Sequence, residues 1–415
     1  MSAIAPPRPA SVTKRDADVL PDRPRSQRRP VEGRVVLVST NADLAGAPLH
    51  VRTLALELSE RGFAVAVVFG QEGPVEAGLR AAGITCHVVP TMRSEIHPAK
   101  DRRSIDALAR LLRAHRPDVV HAHSAKAGMV ARIAARRLGI PCVYTVHGWG
   151  FGPGRPWLRA LLLGAVERSL VGATDRFIAV SEVDARLGRQ RLAIPSGAIT
   201  TIRNGIADTP WRARPAASRV VAMVARDCMP KDYATLLRAA AGLDCEVWCI
   251  GSGTDTAAFR DAARRTGADV ERRVRFLGAR TDVAELLARC GVFVLSSDFE
   301  GLPLSVIEAM RAGLPTVASD VGGMRELVAP GRTGMLFAPR DHVALRSHLE
   351  SLLAAPERRD TLGATARRVF ERRFALAPMI DRTIDVYRHV RQTERAHASV
   401  PATVVRTAGS AAARS

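Results

Sequence analysis

The stretch 292–336, VFVLSSDFEGLPLSVIEAMRAGLPTVASDVGGMRELVAPGRTGML, constrains the fold more than any other part of the chain. Its first residues, 292–296, read as a buried strand, and a short loop ending in Gly301-Leu302-Pro303 opens a helix. Proline in a first helical turn forfeits no hydrogen bond. The helix runs on from 305 to 312, and Gly313 with Pro315 stops it. A second strand (316–319) and a Gly322-Gly323 turn follow. Strand, loop, helix and strand make one βαβ unit, which belongs in a parallel sheet.

Two carboxylates stand at the mouth of this unit: Glu300 just before the helix and Glu308 on it, with seven residues between. The free N–H groups and positive dipole end of a helix start suit phosphate. A carboxylate on such a helix can accept both hydroxyls of a ribose, as in dinucleotide sites, and one in the loop can hold sugar hydroxyls. The spacing thus points to a nucleotide-sugar site. Two glutamates on a helix face are the plain alternative, but that explains neither Glu300 in a Gly-Pro loop nor its neighbours. With its EGLPLSVIEAM and ASDVGG flanks, the unit resembles the donor site of retaining glycosyltransferases of family 4. That resemblance implies an α/β protein of GT-B type, with two Rossmann-like domains whose parallel sheets face across a cleft.

The length of 415 residues fits two domains. RVVAMVAR, starting at 219, restarts the pattern of RVVLVS at 34, and the polar, Pro-rich DTPWRARPAAS before it reads as a linker. The expected layout is a disordered basic tail (1–32), an acceptor-side domain (33–206), a donor domain (207–375), and a disordered tail (392–415). The resemblance implies that a terminal helix, about 376–391, crosses back to the first domain.

The same resemblance assigns further residues. Arg226 and Lys231 would neutralise the donor diphosphate, although Asp227-Cys228 replaces the usual apolar residue between them. Glu308 would hold the ribose and Glu300 the sugar. Gly301, Leu302, Pro303, Leu304 and Ser305 would bring the helix start to the phosphates, and Gly278 would pack against the base. His121, His123, Lys126 and His147 fall at or just past strand C-terminal ends, where α/β sites gather. Their segments, HSAKAG and TVHGWGF, resemble a bacterial subgroup that builds exopolysaccharide or lipid-linked oligosaccharide, in which His147 would reach the donor sugar. Gly46 and His50 resemble the family's Gly-rich acceptor loop, which often carries two adjacent glycines. The catalytic candidates are therefore Glu300, His147, Arg226 and Lys231, and the acceptor-side candidates Gly46, His50, His121 and Lys126. No D-x-D motif occurs between residues 33 and 391, so the cations would replace a metal. No carboxylate stands at ligand spacing beside the histidines, so neither metal nor cofactor is expected.

The net charge of +20 is uneven: residues 31–206 hold 23 Arg and Lys against 14 Asp and Glu. That excess favours an anionic partner, either a membrane surface or a phosphate-bearing acceptor, although only four of the 61 cations are Lys and an Arg-rich composition explains part of it. The helix 100–116 has a basic side, and an apolar run at Leu158 and Leu161–Leu163 can dock on lipid or pack inward. Aromatics at 4% are too sparse for base-stacking nucleic-acid platforms, so no nucleic acid is expected. Six cysteines without paired spacing suit a reducing compartment. Residues 1–30 lack the apolar core of a signal peptide, and no run reaches the ~18 apolar residues of a membrane span. The expectation is a cytoplasmic enzyme, peripheral at the inner face of the membrane. It would move a hexose or N-acetylhexosamine from a nucleotide sugar, UDP-linked by subgroup resemblance, with retention. The acceptor would be a saccharide or polyprenyl-diphosphate-linked glycan in cell-surface polysaccharide synthesis. The contrasting reading, a non-catalytic basic protein binding membrane or nucleic acid, predicts missing site groups.

Overall fold

The computed structural model describes residues 32–95, 97–152 and 157–398, so residues 1–31 and 399–415 of the two expected tails lie outside the described residues. Seven strands form the first sheet: β1 (Gly33–Ser39), β2 (Phe63–Phe69), β3 (Thr85–Val88), β4 (Val119–His123), β5 (Cys142–Val146), β6 (Arg176–Ala179) and β7 (Ile199–Thr201). Six form the second: β8 (Val220–Val224), β9 (Glu246–Ile250), β10 (Val274–Gly278), β11 (Val292–Leu295), β12 (Thr316–Ser319) and β13 (Gly334–Phe337). Their spatial orders are 3-2-1-4-5-6-7 and 10-9-8-11-12-13, and every pairing is parallel.

Unbroken valine and leucine runs make such strands, because helices cover both faces of a parallel sheet. In β1, Val35 and Leu37 join one apolar cluster while Val36 and Val38 join the opposite one. The cluster around Val35 and Leu37 is completed by Met379, Ile380, Ile384, Tyr387 and Val390 of the terminal helix Leu376–Ala398. That helix starts beyond the second domain and packs on the first. Beside it, Ile206 N–H donates to the Phe374 carbonyl (3.0 Å), so the two chain crossings lie side by side. A Cβ on Gly205 would stand 2.5 Å from the Ala375 oxygen, which is why this approach needs glycine.

After β7 (Ile199–Thr201) the chain leaves the sheet to make the crossing. Two expectations change. The terminal helix runs to Ala398, past the expected end at 391. The polar linker is pinned rather than loose. Arg359, almost wholly buried, donates to the carbonyls of Pro215 (2.9 Å), Ala216 (3.1 Å) and Ser218 (3.3 Å).

Tyr387 Oη lies 2.6 Å from His121 Nδ1, and His121 Nε2 lies 2.7 Å from Thr145 Oγ1. All three side chains are buried. Tyr387→Phe strands one imidazole nitrogen in the core, which costs about 1–3 kcal/mol. A lower thermal midpoint with unchanged far-ultraviolet circular dichroism is the expected outcome.

Candidate functional site

Each sheet reverses its order once, between β1 and β4 in the first and between β8 and β11 in the second. Crevices for ligands open beyond the C-terminal ends of strands at such reversals. The loop after β8 carries Arg226 and Lys231; the loop after β11 carries Glu300 and leads into the helix Leu304–Ala312 with Glu308. The helix Gly46–Glu60 follows β1, His123 ends β4, and His147 follows β5. Residues that sequence spacing keeps far apart thus border one cleft.

On the second-domain side, the Lys231 ammonium pairs with the Glu300 carboxylate, and both are mostly buried. The helix Leu304–Ala312 has no side-chain cap and no acid in its first turn, so its leading N–H groups are free for an anion. Pro303 takes the capping position just before it. Burial pushes the Glu308 carboxyl above the usual range, with Arg311 pulling the other way. Arg311 nonetheless donates to the Ala207 carbonyl (2.9 Å). Arg226 is more exposed and stands 3.8 Å from Asp43 of the first domain. Gly278, at φ +63°, is locked by its N–H to Thr254 Oγ1 (3.1 Å) and its carbonyl to Gly251 N–H (2.7 Å).

The two domains touch at Gly301. A Cβ there would lie 2.6 Å from the His147 carbonyl oxygen, and one on Gly322 would lie 1.8 Å from the Glu300 oxygen. Gly323 N–H donates to the Gly301 carbonyl (3.0 Å). Around this contact Asn204 Nδ2 donates to the Leu302 carbonyl (2.7 Å). Glu326 accepts from Arg203 (2.7 Å) and from the Glu182 backbone (2.7 Å). The sequence reading did not single out Arg203, Asn204 or Glu326; nothing local marks a residue whose partner is about a hundred positions away.

His50, His121, His123 and His147 form one cluster. The ring centroids of His121 and His123 are 4.1 Å apart, those of His50 and His147 are 5.0 Å apart, and His123 Nδ1 lies 3.1 Å from His147 Nε2. Burial lowers the pKa of His121, His123 and His147 well below the ordinary value, and that of His50 to about 4 despite a hydrogen bond with Asn204 that opposes the shift. The imidazoles are therefore neutral at pH 7.

Two acceptor-side candidates need correction. His121 is fully buried with both nitrogens bonded to Tyr387 and Thr145, so it braces the core, and His123 is the histidine that β4 presents next to His147. The Lys126 ammonium is buried against Asp101 (2.7 Å), where it ties two helices together instead of meeting a ligand. Gly46 opens the helix Gly46–Glu60, which is likewise uncapped, with open space around a built Cβ. The lack of a nearby carboxylate, which set metal aside in the sequence, carries no weight against a site made of imidazoles alone.

Residues 44–209 match the sequence model for Glycosyltransferase Family 4, and residues 218–355 match that for Glycosyl transferases group 1. The alpha-maltose-1-phosphate synthase of Mycolicibacterium smegmatis is 31% identical over 75% of this chain and 88% of its own. The UDP-Gal:alpha-D-GlcNAc-diphosphoundecaprenol alpha-1,3-galactosyltransferase of Escherichia coli is 27% identical over 80% of this chain and 90% of its own. The crystal structure of Anabaena Alr3699/HepE in complex with UDP and glucose superposes with a TM-score of 0.73 at 21% identity, covering 86% of this chain and all of that one.

The histidine cluster sets a pH dependence. The folded pKa of His50 is about 4 against an ordinary 6.5, so between those values the unfolded chain binds the extra proton. Stability is fully present above pH 6.5 and is lost as pH falls toward 4. Thermal midpoints measured across this window should fall on acidification, and His50→Gln should flatten the slope.

Proposed function

The chain belongs to the glycosyltransferases of family 4, and from that premise we propose that it is a retaining enzyme that takes its sugar from a UDP donor. Its GT-B architecture and transferase class follow from the family, which sets aside the non-catalytic reading. The donor would be a UDP-hexose or UDP-N-acetylhexosamine, and the acceptor a saccharide or polyprenyl-diphosphate-linked glycan in cell-surface polysaccharide synthesis. The observation that carries this reading is the meeting of Lys231, Glu300, Glu308 and an uncapped helix N-terminus beneath His147. The Escherichia coli relative is named for a UDP-sugar donor and a lipid-diphosphate acceptor, and the HepE crystals contained UDP and glucose; both support the same choice.

In this reading residues 33–206 with the crossing helix form the acceptor side, and 207–375 form the donor side. Glu308 accepts the ribose hydroxyls, and the backbone around Gly278 faces the base. Arg226, Lys231 and the N–H groups from Gly301 to Ser305 stabilise the charge that develops on the diphosphate as the sugar C1–O bond breaks. The acceptor oxygen attacks C1 from the same face, and its proton passes to the departing phosphate oxygen. Glu300 and His147 position the sugar hydroxyls from opposite domains, with Gly46 and His50 on the acceptor side. Closing the cleft excludes water.

No described helix is long and apolar enough to cross a membrane. The helix Trp157–Ser169 instead exposes Trp157 (76%), Leu158 (64%), Leu161 (65%) and Leu162 (54%) on one face. Of the apolar run left open in the sequence, Leu158, Leu161 and Leu162 thus stay exposed, while Leu163 is half-buried beside Gly150. This face would rest on the anionic inner surface of the membrane, next to the acceptor side of the cleft.

Thermal unfolding with UDP, GDP and ADP tests the donor. Ligand at about 100 times its Kd adds roughly 2.7 kcal/mol, so UDP should raise the midpoint, and Glu308→Ala should shrink that rise. No shift with any nucleotide at millimolar concentration would sink the donor assignment. For the surface, co-sedimentation with vesicles containing anionic lipid should retain the wild type and lose the Leu161→Glu, Leu162→Glu double variant. Equal retention of both would rule this face out.

A further inference from the structure

The proposed reaction uses His147 and sets His50 on the acceptor side, but it gives His123 no chemical task. His50, His123 and His147 come from three separate elements, and one ligand nitrogen from each lies within 4.8 Å of the other two. The fully buried Nε2 of His123 has no hydrogen-bond partner. A buried ring nitrogen without a partner is costly, and an ion that accepts its lone pair removes that cost.

We propose that His50, His123 and His147 form a three-imidazole zinc site on the first-domain wall of the cleft. A tetrahedral ion with Zn–N bonds of about 2.0–2.1 Å needs its ligand nitrogens about 3.3 Å apart. The 3.1 Å contact between His123 Nδ1 and His147 Nε2 holds these two rings together and uses the other nitrogen of His123, so Nε2 is the one left for the ion. The widest pair within the 4.8 Å group must close by at most about 1.5 Å, which side-chain rotation supplies. The donor set selects the ion: imidazoles without a carboxylate suit zinc and disfavour magnesium and calcium, which take oxygen ligands. An outer shell orients them: His121 packs on His123 and is itself fixed by Tyr387 and Thr145. His147 is only partly buried, so the fourth position opens to the cleft.

The test is a calorimetric titration of the full chain, freed of metal by chelator, with zinc chloride, together with the visible spectrum after cobalt(II) addition. One ion per chain and tetrahedral cobalt bands are expected. His50→Gln should weaken zinc by more than the ~10–100-fold that outer-shell changes cost. The surface pair His87 and His115, with Nε2 atoms 2.7 Å apart, is the control, and His87→Ala should leave the isotherm unchanged. Circular dichroism establishes that each variant is folded; if His50→Gln is not, His123→Gln replaces it. An octahedral cobalt spectrum, no zinc heat, or binding that His87→Ala removes and His50→Gln keeps would overturn the proposal. A missing UDP shift would bear on the donor reading alone.

Discussion

Backbone lies against backbone where the loop at Gly301 meets the loop at His147, and the cleft is built outward from that contact. The Gly301 loop is wedged between His147 on one side and the Gly322-Gly323 turn on the other. Main chains approach this closely only where no Cβ intervenes. The contact brings the Lys231–Glu300 pair of one domain under the imidazoles of the other. Asn204 and the Arg203–Glu326 pair hold the same two loops from the sides. The two chain crossings between the domains lie side by side at Ile206 and Phe374.

Two kinds of charge control share this space. On the second-domain wall, cations and helix N–H groups face an anion's position, and Lys231 is balanced by Glu300. On the first-domain wall, burial keeps four histidines neutral. In the proposed reaction an arriving diphosphate competes with Glu300 for Lys231, which frees the carboxylate for sugar hydroxyls. The neutral wall opposite adds no positive charge that would hold the departing diphosphate in place.

Much of this was legible in the sequence. The βαβ unit at 292–319 follows from apolar runs and stop signals acting over a few residues, and its second strand, Thr316–Ser319, falls where the sequence places it. Arg226 and Lys231 lie on the expected loop after β8, because a loop after a strand of a doubly wound sheet has one place to go. The histidines were visible as strand-end residues, but the sequence reading chose His121 over His123 with nothing local to separate them: both point to the same side of β4, two residues apart. Only packing separates them, since Tyr387 reaches the deeper one from a helix 266 positions away.

The sequence by itself determined the parallel α/β class, the doubling of the Rossmann-like pattern and the acidic pair at a helix start. These depend on local periodicity and on turn chemistry written within a few residues. Tertiary structure alone decided that Lys126 is buried against Asp101, that Arg359 pins the linker, and that three imidazoles from separate elements meet at one point. Those contacts join residues whose separation along the chain carries no signal. Their energies come from burial and charge pairing that exist only once the sheets and the crossing helix are in place.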